Sequence, residues 1–194
     1  KYLFPIKRIF AKYRPIKSID QVKNFIQEQS AQVSQITLYG YLKTRMGAKH
    51  VIMFEDKDFL NSINIAKWHI YTASLIDCTF FCISFLHKEG KLVQTSEANK
   101  IFFEILNIEK ANGMIPEAYE SGTKVFNSRY DKIDWINYCN SKPFEFSCNE
   151  LYKWSPIAEE LKKLDKKIVI NSMFLKWNNT QNEFKRLTNK FNNK

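Results

Sequence analysis

Residues 58–88 read DFLNSINIAKWHIYTASLIDCTFFCISFLHK, and the reading of this stretch decides the fold. From Phe59 to Leu86 it holds neither Pro nor Gly. Its first half is amphipathic, and its second half, Leu75 to Leu86, is apolar nearly all round, broken mainly by Asp77. A helix apolar on every side has to be covered on every side. The stretch is therefore the expected central helix of an all-α chain, a single helical-bundle domain built around one long buried element. It is also the nearest approach to a membrane span, which needs roughly 18–20 apolar residues. Asn61, Asn64, Lys67, His69 and Asp77 make it expensive in lipid, so no transmembrane span is expected.

Composition supports this reading. The chain has 194 residues, enough for one sizeable core. Its 44% hydrophobic and 26% charged residues strike an ordinary globular balance, which excludes a disordered chain. Only 5 Gly and 5 Pro favour long uninterrupted helices over a turn-rich β fold. Cys78, Cys82, Cys139 and Cys148 make no disulfide framework in a chain this long. A reducing compartment is expected.

Working outward, Ser18-Ile-Asp-Gln21 is a capping box. It opens a helix over 18–46 with Val22, Phe25, Ile26, Val33 and Ile36 on one face. Gly47 fits a left-handed residue after its end, and Gly40, inside it, is either a close helix contact or merely tolerated. Asp56 or Asp58 can cap the central helix 58–88. Thr95 or Ser96 opens a helix over 96–108 with Ile101, Phe102, Ile105 and Leu106 buried. Pro116 suits the first position of another, running to about Arg129, and Asp131 can cap a short further piece with Ile133, Trp135 and Ile136. Ser147-Cys-Asn-Glu150 and Ser155-Pro-Ile-Ala-Glu159 read as two further capping boxes. The second opens a last helix over 156–190, with Ile157, Leu161, Leu164, Ile168 and Leu175 on its core stripe and Phe184, Leu187 and Phe191 extending the pattern. Helices 18–46, 96–108, 116–138 and 156–190 are the expected walls around 58–88.

Charge gathers at the ends. The formal net charge is +10. Residues 1–19 carry +6 with no acid, residues 176–194 carry +4, and the span between is neutral. Residues 1–17 form a basic amphipathic arm with Pro5 and Pro15 bounding any helix in it. The remainder, 18–194, is the helical domain. Basic ends on a neutral body point to an anionic partner. The expected contacts are Lys7, Arg8, Lys12, Arg14 and Lys17 in the arm, Lys43 and Arg45 on the first helix, and Lys185, Arg186 and Lys190 at the far end. An anionic membrane surface or a larger protein assembly would take them. Nucleic acid is the alternative. With only five Arg among 30 basic residues, such binding would be phosphate-directed, weakly specific and salt-sensitive. A subunit role would leave apolar side chains such as Phe4, Phe10 or Trp177 exposed in the isolated chain.

No catalytic signature is present. There is no G-x-S-x-G elbow, no phosphate-cradling Gly-rich loop and no H-E-x-x-H element. Ser121-Gly122 falls within a helical stretch. Cys78, Cys82 and His87 have the wrong spacing for one helix face, so neither a metal nor another cofactor is expected. The acids at Glu55, Asp56 and Asp58, and at Glu159 and Glu160, sit at helix starts and read as capping groups. Asn61, Asn64, Lys67 and His69 form either a satisfied polar layer between helices or a polar ligand pocket.

Three stretches carry a resemblance. They are Leu38-Tyr-Gly-Tyr-Leu-Lys-Thr-Arg-Met-Gly47, Ser62-Ile-Asn-Ile-Ala-Lys-Trp68, and the end from Trp154-Ser-Pro-Ile-Ala-Glu-Glu-Leu through Leu164-Asp165 to Asn171-Ser172 and Trp177. Together, and in order, they resemble a family of small, uncharacterised helical proteins of alphaproteobacteria, often labelled esterase. The resemblance spans roughly residues 18–191 and leaves the arm outside. It implies an all-helical fold and a bacterial cytoplasmic or mitochondrial-matrix setting, including a membrane-peripheral one. It transfers no catalytic residues, and the esterase label meets no nucleophile here. The expected function is a non-enzymatic interaction or assembly module. An RNA- or DNA-contacting protein, such as a ribonucleoprotein component, is the second reading and a hydrolase the third.

Overall fold

The computed structural model describes residues 15–49, 52, 54–92 and 94–191. These residues form an all-α bundle: α1 Ile19–Met46, α2 Lys57–Lys88, α3 Glu97–Ala111, α4 Pro116–Tyr130, α5 Glu145–Trp154 and α6 Glu159–Leu187. A single 3-10 turn, Tyr138–Asn140, lies between α4 and α5. The expected central helix is present, and from Ile70 to Ser84 every residue of α2 is buried. Its length and apolarity alone would suit a membrane span, but its most apolar window is 89% buried inside the fold.

Local chemistry sets the starts of the first two helices. Ser18 Oγ accepts from the Gln21 N–H, and the Gln21 side chain accepts from the Lys17 N–H at 2.6 Å, so the first capping box closes one residue further back than the standard form. Asp56 caps α2 by accepting from the Phe59 N–H at 2.8 Å. Gly47 does take a positive φ of 53°, with a ψ of −133° that lies outside the left-handed helical region.

Around α2 pack α1, α3, α4, α5 and the 3-10 turn. The α1–α2 pair is antiparallel: Ser30 Oγ donates to the Ser74 carbonyl, and Tyr39 and Phe59 sandwich Phe54 at the hairpin end. Lys23–Glu104 and Gln27–Glu109 tie α1 to α3. Tyr71, from α2, donates to the same Glu109. Phe80, Phe102 and Phe126 join α2, α3 and α4, with the Phe102 and Phe126 rings stacked 3.9 Å apart.

At Gly122, α4 leaves no room beside α2. A Cβ there would sit 2.2 Å from Thr72 Cγ2. Gly122→Ala is expected to cost about 1–3 kcal/mol through overpacking, despite a gain of up to about 1 kcal/mol in helix propensity. Thr72→Ser removes the obstructing methyl, so it should restore most of that loss in the double variant, as read by urea denaturation. Gly40 is the contrast: a Cβ there meets nothing within 4 Å, so it is tolerated and marks no close packing.

Asp77 is fully buried in α2 and organises the second half of the chain. Arg129 of α4 donates to its Oδ1 at 2.9 Å, and the Ser147 N–H of α5 donates to its Oδ2 at 2.7 Å. Tyr138 accepts from Arg129 and shares its own proton between Asp77 and the Pro143 carbonyl. Burial pushes the Asp77 carboxyl above its ordinary range, with Arg129 and Ser147 pulling it back. Burial also opposes the Arg129 charge, but Asp77 and Tyr138 hold it above its usual value.

Several sequence expectations are corrected here. Ser147 does not open a helix; it lies inside α5, whose start is capped by Asp77 from another helix. Ser155 is no cap for α6 either. Its buried hydroxyl donates back to the Leu151 carbonyl at 2.6 Å, so it closes α5, and α6 begins at Glu159 without a side-chain cap. The helix from Pro116 ends at Tyr130, one residue past the expected Arg129, so this wall does not reach 138, and Asp134 rather than Asp131 fastens the turn that follows by accepting from the Ile136 and Asn137 N–H groups. Ser96 makes no capping bond, and α3 runs on to Ala111. The wall assigned to 156–190 belongs mostly to α5. α6 packs on α1 and α5 and meets α2 through Phe184 against Phe81 and Phe85.

Candidate interaction surface

α6 is the element that positions the surface. It runs antiparallel to α1: Phe184 meets Phe25, Thr180 donates to Gln29, and the Ile16 N–H bonds the Leu187 carbonyl at 3.0 Å. Ile16, placed in the arm by the sequence reading, is buried in the core. Residue 16 and the end of α6 therefore lie side by side, which brings Lys17 next to the basic end of α6 at one pole of the bundle. Lys17, Lys185 and Lys190 stand there with Lys91, whose Nζ donates to the Thr188 carbonyl. Arg186 is paired with Glu183. Lys7, Arg8, Lys12 and Arg14 lie outside the described residues, as do Phe4 and Phe10.

Lys43 and Arg45 are not part of that pole. They sit at the other end of α1, which at 1.5 Å per residue is about 40 Å long. Lys43 is exposed. Arg45 is committed to Asp165 of α6 through a two-pronged ion pair, and Tyr41 donates to the same carboxylate at 3.1 Å. Burial and the Asp165 hydrogen bond push the Tyr41 hydroxyl up to about 12. The Arg45 guanidinium holds Asp165 below the usual carboxylate range, against partial burial, with help from Tyr41. A carboxyl depressed in the folded state contributes stability that is present above its unfolded pKa and lost as pH falls through the folded value. Acidification below about pH 4 should therefore weaken the wild-type chain. Asp165→Asn should lack that component, and urea melts across pH would show its flatter profile.

The largest departure from the sequence reading is on α6 itself. Its core face is Val169, Met173, Trp177, Thr180, Phe184 and Leu187, with Lys162 buried near its start. Lys162 Nζ donates to the Lys153 carbonyl and pairs with Glu159, fastening α6 to the end of α5. The far part of the expected stripe, Phe184, Leu187 and Phe191, is buried, but its nearer part faces out: Leu161 is 43% exposed, Leu164 76%, Ile168 70% and Leu175 64%. Trp177, expected at the surface of an isolated subunit, is fully buried and stacks on Phe144 with ring centres 4.2 Å apart.

The polar residues of α2 do not converge on a pocket. Asn61 is exposed and Asn64 half-buried. Lys67 and His69 leave the helix about 160° apart, at 3.6 residues per turn. Lys67 lies over the Trp68 ring at 4.3 Å, and burial lowers its pKa. His69 stacks on Trp154, its ring centre 3.6 Å away, and burial lowers its pKa too, which keeps it neutral at pH 7. Residues far apart in sequence pair here: Tyr41 and Arg45 reach Asp165, and His69 stacks on Trp154. No sequence signal foretold these pairings.

Other chemistry is structural where it is described. Ser121 Oγ donates to the Ala118 carbonyl within α4. The four cysteines are buried and unpaired, and burial pushes the Cys82 and Cys148 thiols up. His87 Nδ1 lies 3.1 Å from the Leu92 carbonyl. Among the described residues no cluster of His, Cys, Asp or Glu is set to hold a metal ion. Compared with family models, curated proteins and solved structures, the chain gives no match in any of the three.

Proposed function

We propose that this chain is a non-enzymatic helical interaction module that docks within a larger assembly through α6 and the basic pole beside it. The observation that carries the reading is the second apolar stripe on α6, which faces solvent while the opposite face of the same helix fills the core. Contiguous exposed apolar surface edged by charge is characteristic of binding sites. Covering the exposed parts of four aliphatic side chains is worth roughly 4–8 kcal/mol by area. Association itself costs about 4–15 kcal/mol. The stripe alone would bind weakly, so charge contacts from Lys17, Lys185 and Lys190 have to add to it.

The nucleic-acid reading is less well supported. Arg45, Arg129 and Arg186 are all engaged by carboxylates of their own chain. Among the described residues that leaves lysines, which grip phosphate without reading bases.

Leu164→Asp combined with Ile168→Asp tests the docking reading. Both positions are exposed, so the melting temperature should stay within about 2 °C of wild type. Assembly size in cell extract, followed by native gel filtration of the full chain, should fall to that of the monomer. Identical elution of variant and wild type would end this reading.

A further inference from the structure

The outward stripe of α6 has a width, a register and a charge that together specify what can cover it. At about 100° per residue, Leu161, Leu164, Ile168 and Leu175 occupy only about 60° of the helix circumference. A surface helix that packs broadly, on lipid or on a core, shows an apolar face of about 100° or more. A narrow stripe at i, i+3, i+7 and i+14 is instead the a/d seam of a coiled coil. Asn171 takes the d position between Ile168 and Leu175, a polar break in the seam that costs stability.

Charge decides the partner. Lys167 takes a g position beside the seam, and Lys163, Lys166 and Lys176, all exposed, stand on the outer positions of the same turns. Of the three acids in this part of α6, Glu159 is engaged by Lys162 and Asp165 by Arg45. Glu160 alone is left against the flanking lysines. We infer that the seam binds an α-helix of another protein that carries its own apolar a/d seam with acidic residues beside it. This rests on the docking role proposed above. A second copy fits less well, because antiparallel two-fold pairing about the middle of the seam sets Lys167 against its own counterpart. The chain's residues 1–14 fit less well for the same reason, since they carry Lys1, Lys7, Arg8, Lys12 and Arg14 and no acid.

The test is a fluorescence-anisotropy titration of the full chain with two labelled synthetic peptides of about four heptads. Both have Leu at a and d; one has Glu and the other Lys at the e and g flanks. The acidic peptide should bind tighter by about tenfold or more. Added salt should weaken it, and Leu164→Glu with Ile168→Glu should weaken it by a similar factor while the thermal melt stays put. Equal affinity for the two peptides, no binding of either, or indifference to the double variant overturns the acidic-helix assignment. A dimer in sedimentation equilibrium that the double variant dissociates would reassign the seam to a second copy. Cosedimentation with phosphatidylserine vesicles, lost in the same variant, would reassign it to a membrane. Those two results overturn this inference but leave the docking role standing, whereas a double variant that also leaves native assembly unchanged removes both.

Discussion

Asp77→Ala is expected to lose about 3–5 kcal/mol of folding stability, because it strands a partly buried guanidinium and uncaps a helix at once. The carboxylate serves three elements: α4 through Arg129, the 3-10 turn through Tyr138, and α5 through the Ser147 N–H. Arg129→Met should behave differently with pH. Burial already pushes Asp77 up, and losing its cation pushes it further. A carboxyl raised in the folded state contributes stability that is full below its unfolded pKa and lost as pH rises through the folded one. The Arg129→Met chain should therefore gain stability on acidification from neutral pH, relative to wild type. Combining Asp77→Asn with Arg129→Met removes both charges and keeps an acceptor for Ser147. It should cost about 1–3 kcal/mol less than the two single losses added together. Strict additivity in urea melts would mean that the two side chains do not act as a pair.

Trp177→Ala is expected to cost about 3–5 kcal/mol, as a fully buried aromatic does when it leaves a cavity behind. Ile168→Ala, nine residues earlier on the same helix, should fall within about 0.5 kcal/mol of wild type. Trp177→Phe should be milder than Trp177→Ala, since the indole N–H has no hydrogen-bond partner among the described residues. The pair of measurements decides which face of α6 is core. Were Ile168→Ala the costly one, the outward seam and the docking role built on it would both go.

That comparison also shows what a sequence can and cannot convey. The central helix was legible because an all-apolar turn pattern has one physical solution, burial on every side. The α1 start was legible because Ser18 and Gln21 are close in sequence. The first half of α6 departs from its sequence pattern for a different reason. It carries two apolar stripes nearly opposite each other, and periodicity detects both without saying which one meets the core. The aliphatic stripe was the cleaner signal, while the true core face is interrupted by Lys162 and Thr180. The two later capping boxes failed because the Ser147 and Ser155 hydroxyls donate back to the Phe144 and Leu151 carbonyls, and the start of α5 is capped by a carboxylate 70 residues away. Asp77 was noticed only as a break in an apolar run. Its partners lie 52 to 70 residues later, beyond anything local pattern can report. The same holds for Asp165 with Tyr41 and Arg45, which removed Arg45 from the cations available to a partner.

The hydrogen bond between Ile16 and Leu187 has a topological corollary. With residues 16 and 187 already adjacent, a few Gly and Ser residues could splice position 191 to position 15 into a ring at little entropic expense. Reopening that ring at Asn112-Gly113, between α3 and α4, would leave each helix intact while changing the order in which they leave the ribosome. A permuted chain that folds would show that the bundle depends on which helices touch, not on which is made first.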